Sequence, residues 1–260
     1  MPPKLNQRKE LNRKIRVGAV SYLNTKPLIY GFEQGMMKDS VELIIDYPAK
    51  IAAALLSNEI DIGLVPVAVI PVMKEYHIIS DYGIACDGEV ASVCLFSEVP
   101  LSEIKTVLLD YQSRTSVMLA KILLKEYWKI DPVFEQADDH FSNNIKGSVA
   151  AIVIGDRALK QRKKTPYIYD LGSAWKALTG LPFVFAAWVS NKEMDNSFVN
   201  DFNKANELGL NNIKQIVQMN PCSFFDLEQY YTQFIRYTLD EPKKQGMEAF
   251  LSKLSQMQIL

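Results

Sequence analysis

The 260-residue chain has only two histidines and three cysteines, and no apolar stretch long enough to cross a bilayer. Each scarcity removes a class of function. Cys86, Cys94 and Cys222 form no C-x-x-C pair and leave an odd count, which argues against a disulfide framework and a zinc site and fits reduced, intracellular thiols. His77 lies in an apolar strand region and reads as a satisfied core residue, while His140, within Asp138-Asp139-His140, reads as solvent-exposed. Ile62 to Met73, among the longest apolar runs, is interrupted by Gly63, Pro66 and Pro71 and falls short of the roughly 20 residues a membrane span needs. The sequence also contains no G-x-G-x-x-G, G-x-x-x-x-G-K-[ST], G-x-S-x-G or H-E-x-x-H, so nucleotide, serine-hydrolase and zinc-protease chemistry lack their motifs. Neither a redox cofactor nor a metal is expected.

Charge of one sign is not in excess either. There are 29 basic and 30 acidic residues, net charge −1, intermixed beyond the first fifteen positions, so no nucleic-acid surface is expected and a small-molecule partner is. The amino-terminal MPPKLNQRKELNRK is basic but runs into no apolar h-region or small-residue cleavage site. Residues 1–14 therefore read as a disordered basic tail, and the chain as cytoplasmic.

What is present is 48% hydrophobic residues arranged in short β-like runs that alternate with helical spacing. Strands are predicted over Arg16–Val20, Val41–Asp46, Ile60–Val65, His77–Ser80, Ile84–Cys86, Val90–Ser97, Thr106–Leu109, Pro132–Phe134, Ala150–Ile154, Tyr167–Tyr169 and Phe183–Val189. Helices are predicted over Pro48–Ser57, Thr115–Trp128, Asp156–Arg162 and Ala174–Thr179. From Asp195 onward the β signal disappears, and helical stretches near Phe198–Gln218, Phe224–Tyr237 and Glu241–Leu254 suggest a helical layer. The fold class is α/β with mostly parallel sheets. Because the strand series pauses at Cys86-Asp87-Gly88-Glu89, two lobes are expected, residues 15–95 with 190–260 and residues 96–189, holding a ligand between them. One continuous doubly wound sheet is the alternative.

Two elbows carry the chemistry. In Val17 to Tyr30 an apolar strand enters Ser21-Tyr22-Leu23-Asn24, and Thr25 is placed to cap a helix with Pro27 in its first turn. Tyr22 and Asn24 thus stand at the carboxyl end of a strand, where α/β proteins bind small ligands. In Leu108 to Ala120 a strand end and a polar turn precede a long amphipathic helix with Thr115 or Ser116 as N-cap. Ser113, Thr115, Ser116 and the Arg114 guanidinium at that helix start suit a carboxylate, although a solvated Arg114 on a well-capped helix gives the same pattern. Ser92 follows the expected crossover and offers a hydroxyl to the cleft or to backbone. Gly155 and Asp156 repeat the strand-to-helix geometry, with Asp156 a cap first and a site residue second. Trp175 and Phe183 suit the wall of an apolar ring, and core packing equally.

Four ordered motifs resemble one family. V-G-x-V-x-Y-L-N-T-x-P-L at Val17 to Leu28, D-Y-x-S-x-T-S at Asp110 to Ser116, I-G-D-x-A-L at Ile154 to Leu159 and D-L-G-x-x-W-x-x-x-T-G-L-P-F-V-F-A at Asp170 to Ala186 are similar to the chorismate dehydratases of the futalosine route to menaquinone. The resemblance implies a two-lobed type II periplasmic-binding-protein fold and cofactor-free loss of water from chorismate. It further implies that Asn24 is catalytic, hydrogen-bonding the ring substituents near the reacting carbons, while Ser92, Ser113, Thr115 and Ser116 hold carboxylates. The base would be the substrate's own enolpyruvyl carboxylate, or Asp156 or Asp110. The sister enzyme of that pathway, 1,4-dihydroxy-6-naphthoate synthase, opens with a different first-strand motif. A solute receptor of the same fold, the third reading, would normally carry an export signal or lipid anchor.

Overall fold

A computed structural model describes residues 13–110, 113–137 and 141–257. His140, Tyr111 and most of the basic tail lie outside the described residues. Strand β1 (Ile15–Val20), helix α1 (Lys26–Glu33), β2 (Val41–Asp46), α2 (Pro48–Leu56), β3 (Ile62–Pro66) and β4 (His77–Cys86) come first. Then follow β5 (Val93–Ser97), β6 (Thr106–Leu109), α3 (Arg114–Glu126), β7 (Val133–Gln136), β8 (Val149–Ile154), α4 (Gly155–Gln161), β9 (Tyr167–Asp170) and α5 (Leu171–Thr179). The chain ends with β10 (Phe183–Ser190), α6 (Asn196–Leu210), α7 (Ile213–Met219), β11 (Arg236–Thr238) and α8 (Glu241–Gln256).

These strands form two sheets, not one continuous sheet. The first has the order β11-β4-β10-β3-β1-β2 and the second β7-β6-β8-β5-β9. Neither is mostly parallel. β1 runs parallel to β2 and β3, but β10 is antiparallel to β3 and β4, and β11 is antiparallel to β4. In the second sheet β6 is parallel to β7 and β8, whereas β5 is antiparallel to β8 and β9. The antiparallel members include the strands by which the chain enters and leaves: β5 opens the second sheet, and β10 returns to the first. The connections between sheets are therefore residues 87–92 and 171–182.

Burial explains why β10 reads as an unbroken apolar run. Every residue of FVFAAWVS is buried, as expected for a strand covered on both faces. Trp188 meets Phe202 edge-on at 5.0 Å. Trp175, fully buried, meets Phe183 at 5.2 Å and Phe250 at 6.1 Å, so this aromatic trio is core and does not wall a ligand. His77, expected in the core, is half-exposed at the start of β4 and contacts Glu75 at 2.9 Å. The expected single helix near Phe198–Gln218 breaks into α6 and α7, and β11 lies where only helix was expected. All three cysteines are free. Among the described residues no helix is long and apolar enough to cross a membrane, and no group of three or more His, Cys, Asp or Glu could hold a metal ion.

Candidate active site

The carboxyl ends of β1 and β8, the first turn of α3 and the connection after β4 converge on one cleft between the sheets, about 530 Å³ including its mouth. Asn24, Ser92, Ser113, Thr115 and Ser116 supply its polar lining, with Tyr22 and Gly155 beside them. Val20, Pro48, Pro66, Ile84, Val90 and Phe185 form apolar walls. No described residue lining the cleft carries a charge.

The first elbow keeps Asn24 in a tight turn. Tyr22 is extended (φ −82°, ψ 159°), and Leu23–Thr25 make a 3₁₀ turn before α1. Thr25 occupies the N-cap position yet makes no capping bond; its buried hydroxyl points to Asn24 Oδ1 at 3.4 Å. The backbone carbonyl of Asn24 accepts a bond from Tyr237 Oη at 2.9 Å.

At the second elbow the N-cap is Ser113, not Thr115 or Ser116. Its Oγ accepts from the Ser116 amide at 3.1 Å, which leaves Thr115 and Ser116 in the first turn, where free N–H groups and the positive end of the helix favour an anion. Thr115 Oγ1 also accepts from the Ala68 amide at 3.1 Å, reaching across to the loop after β3. Arg114 departs from expectation. It follows the cap, is exposed, and lines a neighbouring groove with Val117, Met118 and Lys121, because each residue along a helix turns its side chain about 100° from the last.

Gly155 begins α4 with φ +60°. Its amide donates to the Ser92 carbonyl at 2.8 Å, and a Cβ there would sit 3.0 Å from the Tyr22 ring. Only glycine meets both demands without strain. Asp156 does not cap that helix; its Oδ1 accepts from the Leu23 amide at 3.1 Å on the opposite sheet. Burial pushes its carboxyl pKa up, opposed by that N–H and by Lys160 and Lys26. Asp156 is not among the cleft-lining residues.

Arg157 escaped the sequence reading. Its Nη2 contacts the Asp110 carboxylate at 2.7 and 2.9 Å, with Asp110 fully buried. The same guanidinium donates to the Tyr22 hydroxyl, whose pKa is nonetheless driven far up, first by burial. A cation thus stands behind the cleft, neutralising Asp110 and pinning Tyr22 over Gly155.

The Asp170 motif builds the connection that carries Ser92. Asp170 caps α5 by accepting from the Ser173 amide at 3.0 Å and also accepts from Val90 at 3.2 Å and Ala91 at 2.8 Å. Ala91 is held at φ +61°. Two further residues that the sequence did not signal are Tyr230, whose Oη donates to Ser92 Oγ at 2.7 Å, and Tyr237. Their partners lie 138 and 213 positions away, and no local pattern encodes such distances.

Two α/β sheets with a ligand-sized cleft between them define a two-lobed fold of the periplasmic-binding-protein kind. A crystal structure from Archaeoglobus fulgidus superposes with a TM-score of 0.76 at 12% identity, covering 95% of this chain and 98% of that one. The periplasmic aliphatic sulphonate binding protein of Escherichia coli superposes with a TM-score of 0.63 at 13% identity over 95% and 88%. Sequence narrows the class: the model of a family described as menaquinone biosynthesis matches residues 15–256, and the chain belongs to that family. A chorismate dehydratase of Thermus thermophilus is 28% identical over 92% of this chain and 94% of its own length. One from Campylobacter jejuni is 24% identical over 90% and 95%.

Proposed function

We propose that this protein is a chorismate dehydratase, a carbon–oxygen lyase that converts chorismate to 3-[(1-carboxyvinyl)oxy]benzoate and water in menaquinone biosynthesis. The observation that carries the reading is the pairing of hydroxyls and a helix start with apolar walls in a cleft where no described lining residue carries a charge. Chorismate is a cyclohexadiene with one carboxylate on its ring and a second on its enolpyruvyl side chain. Its elimination needs only a proton removed from C3 and hydroxide expelled from C4; the C3–H electron pair becomes the new ring double bond, and aromaticity drives the step.

Ser92 and the Ser113–Ser116 turn would hold carboxylates, with Val20, Pro66 and Phe185 against the ring faces. Asn24 would hydrogen-bond at the reacting carbons. For the base we favour the enolpyruvyl carboxylate of the substrate, held in a reactive conformation by the site. Asp110 is already committed to Arg157 at 2.7 Å, and Asp156 is engaged with Leu23 outside the cleft lining. The sheet connections 87–92 and 171–182 would be the hinges, dividing the chain near the lobe limits expected at 95 and 189. The reading places the protein in the cytoplasm beside its substrate.

Incubation of purified protein with chorismate alone is the test, followed by mass spectrometry for loss of water and by aromatic absorbance. Turnover is expected, and Asn24→Ala should lower it by about 10² to 10³, the usual loss for one oriented hydrogen bond at a reacting centre. Chorismate returned intact would refute the assignment, and an Asn24→Ala variant with unchanged kcat would remove Asn24 from the reacting centre.

A further inference from the structure

We infer that Tyr230 is a positioning residue that holds Ser92 as a hydrogen-bond donor toward the cleft. Tyr230 opens a five-residue π-helical turn, Tyr230–Phe234, and is fully buried; such turns are rare and gather at functional sites. Its Oη donates to Ser92 Oγ at 2.7 Å. A serine hydroxyl has one proton and two acceptor positions. With Tyr230 donating into one acceptor position, the proton of Ser92 must point elsewhere, and Ser92 Oγ donates to no described residue. Ser92 borders the cleft, so that proton is offered to whatever lies there.

The chain of bonds therefore runs from Tyr230 to Ser92 to the ligand. Burial drives the Tyr230 phenol well above its usual pKa, so it stays a neutral donor at any working pH. From the same segment Tyr237 Oη fixes the Asn24 carbonyl at 2.9 Å. One carboxyl-terminal stretch thus sets the direction of two cleft groups from different parts of the chain. The consequence is a preference: with its proton offered to the cleft, Ser92 suits a ligand atom that accepts it, such as a carboxylate or ether oxygen.

The kinetic arm of the test rests on the dehydratase reading. Tyr230→Phe removes only the hydroxyl and should lower kcat about tenfold. Ser92→Ala breaks the same link from its other end, so the double variant should be no slower than Ser92→Ala alone. Tyr231 is the control: its neighbouring hydroxyl is buried with no hydrogen-bond partner among the described residues, and Tyr231→Phe should retain wild-type kcat. A Tyr230→Phe kcat within twofold of wild type, or losses that multiply in the double variant as general loosening would produce, overturns the inference. Crystal structures of the wild-type and Tyr230→Phe proteins, grown without substrate, give a readout that does not depend on the reaction. The Ser92 hydroxyl should leave its wild-type rotamer, and an unmoved Ser92 side chain would overturn the positioning role. If the wild-type protein leaves chorismate intact, the dehydratase reading falls and the crystallographic comparison alone decides this one.

Discussion

Asp156 shows how a single side chain can serve the cleft at a cost in stability. Its carboxylate accepts the Leu23 amide from the opposite sheet, yet burial raises its pKa above the usual 3.8. The folded protein therefore binds this proton more tightly than the unfolded chain does. Below the unfolded value both states are protonated and nothing is lost; as pH rises through the raised folded value, that part of the stability disappears. An asparagine keeps an acceptor for Leu23 and never ionises. Asp156→Asn should consequently raise Tm at pH 7.5, with the gain shrinking toward pH 4, as read by calorimetry across that range. A variant less stable than wild type by the same margin at every pH would show that the carboxylate helps by its charge.

Tyr22, Asn24, Ser92, Ser113 and Gly155 were legible in the sequence because each stands at or just beyond a strand end, and such ends meet at the cleft. Arg157, Tyr230 and Tyr237 were not. Their meaning depends on partners brought close only by the tertiary fold.

At the scale of elements, the Asp170-Leu171-Gly172 start of α5 works as a clamp on the first connection between the sheets. Asp170 takes the Val90 and Ala91 amides, and Gly172 packs so closely that a Cβ would stand 2.4 Å from the Gly88 carbonyl and 2.5 Å from Cys86 Sγ. Neither backbone nor a fully buried thiol yields easily. Gly172→Ala should therefore destabilise by about 1–3 kcal/mol, the usual range for overpacking, and should slow turnover by displacing the segment that carries Ser92. Thermal unfolding and steady-state kinetics measure the two effects, and an unchanged Tm would show that the connection is pliant.

Elements were most legible where local pattern and tertiary role agree. Val41–Asp46 and Thr106–Leu109 have the predicted limits, bounded by turns and paired along their length in parallel ladders. Prediction failed where pairing overrides composition. Asp81, Tyr82 and Gly83 looked like a break between two strands, but β4 runs through them and its ladder with β10 absorbs the irregularity as register shifts. β11 is three residues long and forms the edge of its sheet, pairing with β4, so its alternation was too short to stand out from the helical signal around it.

For the whole molecule the decisive feature is that the two sheets are bridged by the protein's own bonds. Leu23 to Asp156, Ala68 to Thr115 and Arg157 to Tyr22 cross between them beside the cleft, and Lys253 of α8 reaches Glu126 of α3 at 2.6 Å nearer the surface. If each of the three beside the cleft contributes about 1 kcal/mol net and the partly exposed ion pair little, closure is favoured by roughly 3 kcal/mol and the open form is on the order of 1% of the population. A dicarboxylate touching both Ser92 and the Ser113–Ser116 turn would add to this preference without creating it. Closure also excludes water from the cleft and protects the reacting ring. Small-angle scattering should then give the wild-type protein a radius of gyration near 18 Å, the value for a compact chain of this length, almost unchanged by an unreactive chorismate analogue. The Thr115→Val/Asp156→Ala double variant, with two of the three bridges beside the cleft removed, should be larger alone and compact when the analogue is added. A double variant with the wild-type radius under both conditions would mean that the bridges follow closure and do not hold it, and that the packing of the connections at 87–92 and 171–182 sets the angle between the sheets.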